Sequence, residues 1–222
     1  MVYKIRIMQC EYTETVLLEV KDIRVLCVDI SSAEEWLYQR FYEQASPERK
    51  CRADRYRRQE DKLRCVAAEA ILKVALGTEE YQIEKNNFGK PYIKNCEGFF
   101  YNLSHSGRYV VIAWGESEVG VDIQEYRENV DFPALSKRFF TSEEQTYIGE
   151  DLRRFYEIWT KKESYVKYTG EGLERGLGSF CVLEPELPIR YRHWTLEGGY
   201  CLSLCTTEEA SALEMLDVHQ LL

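Results

Sequence analysis

The sequence has little of what marks zinc-binding, secreted or membrane proteins. Its 222 residues include 3 histidines and 8 scattered cysteines, no two of them with CxxC spacing, so a structural zinc site is not expected. Residues 1–12 interleave charged and apolar side chains and lack the apolar core of a signal peptide. With no long apolar run, these features predict a cytoplasmic protein with free thiols and no membrane partner.

The composition is that of a globular chain with an acidic balance. It is 45% hydrophobic and 30% charged, enough apolar content to bury a core. The length allows one large domain or two of about 100 residues, and we favour two. The formal net charge of −9 argues against general affinity for nucleic acid.

Strand-like and helical patterns alternate twice along the chain, before and after about residue 118. No sequence repeat or low-complexity linker separates them. The patterns predict an α+β fold of two halves, 1–118 and 119–222, with a ligand cleft between them. The segments that carry this prediction are strands at 3–7, 16–20 and 25–30, helical spacing at 46–76, a hairpin turn at 115–118, and a helix at 155–168 that ends at Gly170.

A basic segment stands out against the acidic average. Residues 48–64 hold eight lysines and arginines against four acids, a local charge of +4. Arginine binds phosphate well because its planar guanidinium donates two parallel hydrogen bonds. The alternative is an ordinary solvated helix face with salt bridges.

A polar turn at 102–107 contains one of the few histidines. Ser104 and His105 could donate hydrogen bonds to an anion just before a predicted strand. A Ser-His-Asp hydrolase is the rival interpretation. It is disfavoured because adjacent side chains on an extended chain diverge and the sequence has no GxSxG motif.

Two carboxylates lie on separate predicted elements. Val119, Val121 and Ile123 share one face of a strand, which leaves Asp122 on the other face, and Glu163 lies in a later helix. Such a pair, with basic residues nearby, is typical of a magnesium site that shares its ion with a substrate phosphate. Glu163 could instead form only an exposed helix pair with Lys167.

Five motifs in order carry a family resemblance. The chain resembles the 4′-phosphopantetheinyl transferases, in particular the surfactin-synthetase-activating type, from about residue 46 to 178. The motifs are FGKP at 88–91, FYNLSHSG at 100–107, VGVDIQ at 119–124, RFF at 138–140 and WTKKESYVK at 159–167.

The resemblance implies a monomer with a pseudo-twofold axis and coenzyme A bound between its two similar halves. Such enzymes transfer the 4′-phosphopantetheine group of coenzyme A to a serine of an apo acyl- or peptidyl-carrier protein and release adenosine 3′,5′-bisphosphate. Magnesium is the implied cofactor. Position by position, the resemblance assigns Asp122, Glu163 and Gln124 to the metal, Glu163 and Lys167 to catalysis, and Arg49, Arg52, Arg64, Lys90, Pro91, Ser104, His105 and Lys162 to the coenzyme.

The resemblance has one departure and leaves the docking surface open. Many members have an acid where this chain has Gln124, which would ligate only through its carbonyl oxygen or a water. Carrier proteins are acidic like this chain, so we expect a local basic and apolar docking surface at 132–140, with Lys137 and Arg138. The rivals are a non-catalytic coenzyme A or adenine nucleotide binder and a nucleic-acid-binding module, with no nucleic acid expected as partner.

Overall fold

The computed structural model describes residues 22–172, 176–185 and 188–221. The strands predicted at 3–7 and 16–20 lie outside these residues. In the described ranges the chain forms nine strands, β1 (Ile23–Asp29), β2 (Ile83–Lys85), β3 (Pro91–Ile93), β4 (Phe100–Ser106), β5 (Tyr109–Gly115), β6 (Val119–Glu125), β7 (Arg190–Leu196), β8 (Tyr200–Thr206) and β9 (Ala210–Asp217), and six α-helices, α1 (Glu35–Gln44), α2 (Pro47–Asp54), α3 (Gln59–Leu76), α4 (Phe132–Phe139), α5 (Ser142–Ile148) and α6 (Leu152–Thr169).

Local sequence signals set the helix boundaries. The Ser46 hydroxyl accepts a hydrogen bond from the Arg49 backbone N–H at the start of α2, and Pro47 occupies its first turn. Thr141 and Glu144 form the capping box of α5. Helix α6 ends where Gly170 adopts a left-handed conformation with φ of 68°. The continuous helical spacing predicted at 46–76 divides into α2 and α3, with a break at residues 55–58.

The strands form three sheets. A four-stranded sheet has the order β4-β5-β1-β9, a three-stranded sheet has the order β6-β8-β7, and β2 pairs with β3. Strand β9 runs parallel to β1, so the end of the chain returns to the first sheet. The mixed α+β class is thereby confirmed, whereas the division into halves at residue 118 stays a prediction.

The predicted hairpin at residues 115–118 is wrong. Strand β5 already has β4 and β1 as neighbours in the first sheet, so β6 has no free edge of β5 to pair with. The turn instead leads the chain from one sheet into the other, where β6 pairs with β8. As predicted, Val119, Val121 and Ile123 share a buried face of β6.

Buried apolar side chains form three hydrophobic clusters. Alternate residues of β1 point to opposite sides, with Leu26 and Val28 packed against the helices α1 and α3 and Val25 and Cys27 packed against β6 and β8. The other face of β8 packs on α6 and its aromatic neighbours. The sheets therefore stack on each other with helices on both outer sides. None of the helices in the described ranges is both long and apolar enough to cross a bilayer.

The cysteines are mostly, but not all, free. Six of the residues described are free thiols, at positions 27, 51, 65, 181, 201 and 205. Cys96 is disulfide-bonded, so the prediction that every cysteine is a free thiol is wrong there. The size of the chain removes the need for a covalent staple but does not prevent one.

A fully buried ion pair fixes α6 against α5 and the following loop. The Lys162 ammonium donates to the carbonyl oxygens of Leu177 and Phe180, at 2.7 and 2.6 Å, and lies 2.8 Å from Glu144. Neither charged side chain has exposed surface. Burial lowers the pKa of Lys162 below its usual value, and the ion pair with Glu144 opposes that shift. The prediction that Lys162 holds the coenzyme is wrong, because its ammonium lies in the core.

Removing one partner of this pair should destabilise the fold. We expect Lys162→Met to lower the free energy of unfolding by about 3–5 kcal/mol, because it leaves the Glu144 carboxylate buried without its cation. The neighbouring Lys161 pairs with Glu157 near the surface, and Lys161→Met should cost only about 0–1 kcal/mol. Urea unfolding of both variants measures the difference, and equal losses would contradict this account.

Candidate active site

A cavity of about 450 Å³ collects most of the predicted coenzyme-binding residues. Its walls come from α2, α3, the β2–β3 hairpin, β4 and the end of α6. Because these elements are far apart in the sequence, only the folded chain brings their cations together. The predicted residues that line it are Arg49, Arg52, Lys90, Pro91, His105 and Lys167.

The two arginines reach the cavity from α2. Arg52 is exposed, whereas Arg49 is held by Glu69, whose carboxylate lies 3.3 Å from the Arg49 Nε. Glu69 is 3% exposed and also accepts hydrogen bonds from the backbone N–H and hydroxyl of Ser46. Sequence reasoning missed Glu69, although an isolated acid within the apolar stripe of α3 was a usable signal.

Ser104 and His105 point in opposite directions, as neighbours on a strand must. His105 is exposed and lines the cavity, whereas Ser104 is buried and faces β6. Although His105 keeps exposed surface, the surrounding cavity wall partly desolvates its ring and lowers its pKa, and the nearby charges of Arg64, Lys167 and Arg52 lower it further. These three cations give this part of the cavity a positive potential.

The loop at residues 86–91 forms the rim of the cavity and is tied to the end of α6. The Asn86 side chain accepts from the Lys90 backbone N–H at 2.8 Å and donates to the Gly170 carbonyl at 3.3 Å. The Lys90 ammonium donates to the Tyr168 carbonyl at 2.8 Å and also pairs with Glu118. Phe88 stands 53% exposed on this rim.

Three charged side chains, Asp122, Glu163 and Lys167, lie next to the cavity and are called the acidic group below. The Asp122 Oδ1 accepts from the Lys167 ammonium at 2.7 Å and from the Ser104 hydroxyl at 2.9 Å. The Gln124 amide donates to the Asp122 Oδ2 at 3.2 Å. Lys167 thus forms its ion pair with a carboxylate on β6. It is therefore more than one member of an exposed ion pair with Glu163 on the same helix.

Glu163 approaches Asp122 from α6. Desolvation raises the pKa of Glu163, the charge of Asp122 raises it further, and Lys167 opposes both. Two carboxylates that repel each other beside one ammonium suit an added cation. In the described ranges no group of three or more histidines, cysteines and acids is arranged to hold a metal ion. A magnesium ion would therefore rely on two carboxylates together with substrate and water oxygens.

Comparison with known proteins places this arrangement in a family. Residues 118–205 match the family model of the 4′-phosphopantetheinyl transferase superfamily. The chain is 30% identical over 188 residues to the 4′-phosphopantetheinyl transferase psf-1 of Bacillus pumilus, covering 74% of this chain and 80% of that protein. The chain belongs to the 4′-phosphopantetheinyl transferase family.

Two further relatives agree. The 4′-phosphopantetheinyl transferase Sfp of Bacillus subtilis (strain 168) is 28% identical over 191 residues, which cover 75% of this chain and 84% of Sfp. A putative 4′-phosphopantetheinyl transferase of Synechocystis, slr0495, is 32% identical over 162 residues, 67% of this chain and 65% of that protein. The surfactin-activating type predicted from the motifs is confirmed, and the non-catalytic alternative is not favoured. The chain is an enzyme of this class with coenzyme A as its substrate.

A close backbone contact brings β6 and α6 of this phosphopantetheinyl transferase together. A Cβ placed on Gly120 would lie 1.9 Å from the Ser164 carbonyl oxygen and 2.4 Å from the Tyr168 nitrogen. Only glycine lets β6 approach α6 so closely. This approach sets the separation of Asp122 on the strand from Glu163 and Lys167 on the helix.

Three of the predicted coenzyme ligands, Arg64, Ser104 and Lys162, lie outside the cavity lining. The Arg64 guanidinium pairs with Asp61 and donates to the carbonyl oxygen of Gly107, so it supports the turn after His105. Lys162 faces the core, as described above. The sequence could not separate Lys162 from Lys167, since both are lysines on one helix and only their packing differs.

Proposed function

We propose that this enzyme binds coenzyme A in the cavity and transfers its 4′-phosphopantetheine group to a serine of an apo acyl- or peptidyl-carrier protein. The other product is adenosine 3′,5′-bisphosphate. The supporting observation is that the cavity joins a cluster of arginines to the acidic group of Asp122, Glu163 and Lys167. The arginines suit one phosphate group of a nucleotide. A cation held by the two carboxylates would suit its other phosphates.

Within this proposal the coenzyme is held mainly by cations. Arg49 and Arg52 bind the 3′-phosphate, Lys90 and Pro91 border the adenine, and His105 faces the phosphates. The hydrogen bond that the Arg49 Nε donates to the Glu69 carboxylate keeps Arg49 in position. Arg64 acts indirectly, through the turn at Gly107.

Magnesium is the proposed cofactor, held by the carboxylates of Asp122 and Glu163. When bound, the ion would neutralise charge that builds on the leaving bisphosphate. Gln124 currently donates its amide to Asp122, so it would join the metal only through its carbonyl oxygen or a water. With one carboxylate fewer than many relatives, we expect weaker magnesium binding.

The residues of the chain have distinct tasks in the transfer. The serine oxygen of the carrier attacks the β-phosphate phosphorus, and the bond from that phosphorus to the oxygen bridging the two phosphates breaks. We propose that Glu163 accepts the serine proton, directly or through water. Its position on α6, close to Asp122 and to the Lys167 ammonium, supports this role. Lys167 supplies positive charge beside the reacting phosphates.

The carrier is proposed to dock on the exposed face of α4. Lys137 and Arg138 are exposed at its end, and the Arg138 guanidinium lies over the Phe139 ring at 4.9 Å. Phe140 is buried and Phe132 packs on Phe155, so the exposed face is basic with little apolar surface. This charge suits an acidic carrier of fatty acid, polyketide or nonribosomal peptide synthesis.

The remaining expectations belong to the same proposal. We propose a cytoplasmic monomer with a pseudo-twofold relation between residues 1–118 and 119–222 and with no nucleic acid or membrane partner. Light scattering in solution tests the monomer, and salt-dependent retention on DNA would contradict the exclusion of nucleic acid.

The decisive experiment is intact mass spectrometry of an apo carrier protein incubated with this enzyme, coenzyme A and magnesium. We expect the carrier to gain the mass of one phosphopantetheine group. Asp122→Ala should abolish the gain, because it removes a metal ligand and leaves Lys167 without its carboxylate. If several carrier types gain no mass while coenzyme A still binds, the proposed function is wrong.

Replacing Glu163 tests the proton acceptor. With magnesium saturating, Glu163→Gln should lower kcat by about 10²–10⁴-fold, the usual contribution of a general base. Glu157→Gln is the matched control on the same helix, since Glu157 pairs with Lys161 away from the site, and its kcat should stay near that of the unmodified enzyme. Normal turnover of Glu163→Gln under these conditions would rule out the role.

Reversing one charge on α4 tests the docking surface. Lys137→Glu should raise KM for the carrier about tenfold at low salt, because it turns attraction into repulsion. KM for coenzyme A should not change. Lys94→Glu provides a control on another surface, where Lys94 pairs with Glu84. An unchanged KM for every carrier tested would contradict docking on α4.

A further inference from the structure

The lysines and arginines that line the cavity differ in whether the chain already pairs them with a carboxylate. Three of them have such a partner: Arg49 with Glu69, Lys90 with Glu118 and Lys167 with Asp122. The other two, Arg52 and Lys85, form no ion pair and no side-chain hydrogen bond with the described residues. Their charges therefore remain available to an anion in the cavity.

Strand alternation directs the Lys85 side chain toward the cavity. Ile83 and Lys85 of β2 both line it, whereas Glu84 between them points to the opposite side of the hairpin. There the Glu84 carboxylate lies 2.7 Å from the Lys94 ammonium. Across the hairpin Lys85 pairs with Pro91, which also lines the cavity. Of these two lysines of the hairpin, Lys94 is paired with an acid outside the cavity and Lys85 faces into it.

The segment that leads into β2 lies beside the residues that hold α2. Burial and the charge of Glu69 raise the pKa of Tyr81, two residues before β2, and the charge of Arg49 opposes this shift. Besides desolvation, three cations lower the pKa of His105, and Lys85 is not one of them. Strand β2 thus borders the part of the cavity near Arg49, away from the acidic group.

We infer that Lys85 binds the 3′-phosphate of coenzyme A from β2, as Arg52 does from α2, and so makes the cavity select the 3′-phosphorylated coenzyme. This inference rests on the proposed function, which places coenzyme A in the cavity with its 3′-phosphate at Arg49 and Arg52. A hydrogen bond between an ammonium and a phosphate is about twice as strong as one between neutral groups. The flexible four-carbon stem of lysine lets its ammonium reach an anion held by a neighbouring element.

The test compares coenzyme A with 3′-dephospho-coenzyme A, which lacks only that phosphate. Calorimetry in EDTA gives both Kd values without metal, so a change in metal binding does not contribute. Lys85→Ala should raise the Kd of coenzyme A about tenfold, the effect of losing a hydrogen bond to a charged group. It should change the Kd of 3′-dephospho-coenzyme A by less than about twofold, since the lost contact is absent from that complex.

Lys94→Ala is the matched control, because it makes the same substitution on the opposite side of the hairpin. Both Kd values should stay near those of the unmodified enzyme. Arg52→Ala is the reference for a phosphate ligand and should also weaken only the binding of coenzyme A. If Lys85→Ala does not fold by circular dichroism, Lys85→Gln takes its place. It removes the charge, keeps most of the stem, and should give the same pattern.

Two results would overturn the inference. One is an unchanged Kd of coenzyme A in a folded Lys85 variant, which would make Lys85 a solvated lysine without a ligand. The other is an equal rise in both Kd values, which would mean that Lys85 contacts another part of the coenzyme. Failure of the proposed function has a different signature: the unmodified enzyme would bind coenzyme A yet modify no carrier, and the two Kd comparisons would still decide the role of Lys85.

Discussion

The carboxylate of Asp122 is the point on which the site depends. It is 2% exposed, and an isolated buried carboxylate would be costly unless neighbouring groups compensated it. Lys167 from α6 and Ser104 from β4 provide that compensation at one of its oxygens. Because the two partners come from different elements, satisfying this charge also fixes β4, β6 and α6 relative to one another. The requirement that stabilises the fold here is the one that assembles the site.

Helix α6 serves two environments with two lysines. Lys167 reaches the cavity and Asp122 on one side, whereas Lys162 reaches Glu144 and two carbonyl oxygens in the core. Between them, the backbone of α6 lies against Gly120 of β6. The helix is thus held on its core side by an ion pair and on its sheet side by close backbone contact. Glu163 therefore approaches Asp122 from a rigid element, and this rigidity favours a defined geometry for catalysis.

Much of the local structure could be predicted from the sequence. Caps at Ser46 and Thr141 and the stop at Gly170 depend on neighbouring residues, so short patterns reveal them. The alternation along β6 likewise predicted that Asp122 lies opposite the apolar face. The pairing of β9 with β1 and the crossing of the chain at 115–118 depend on contacts between distant segments. No local pattern contains that information.

The same limit applies to side-chain direction at the site. The ordered motifs located Ser104, His105, Lys162 and Lys167 but could not say which of them face the cavity. On β4 the alternation of faces separates Ser104 from His105 only once the position of β6 is known. On α6 the burial of Lys162 follows from Glu144 on another helix. Family motifs therefore predicted which segments meet at the candidate site, and packing decides which of their side chains face the cavity.

The charges around Asp122 also explain how a neutral residue can stand at position 124. Asp122 and Glu163 carry two negative charges and Lys167 one positive charge, so the group has a net charge of −1. A third carboxylate at position 124 would attract a divalent cation more strongly, but it would also add a partly buried charge next to two that already repel. The amide avoids that repulsion and donates to Asp122 Oδ2. A divalent cation bound there would leave a net positive charge facing the cavity, the sign that a pyrophosphate requires.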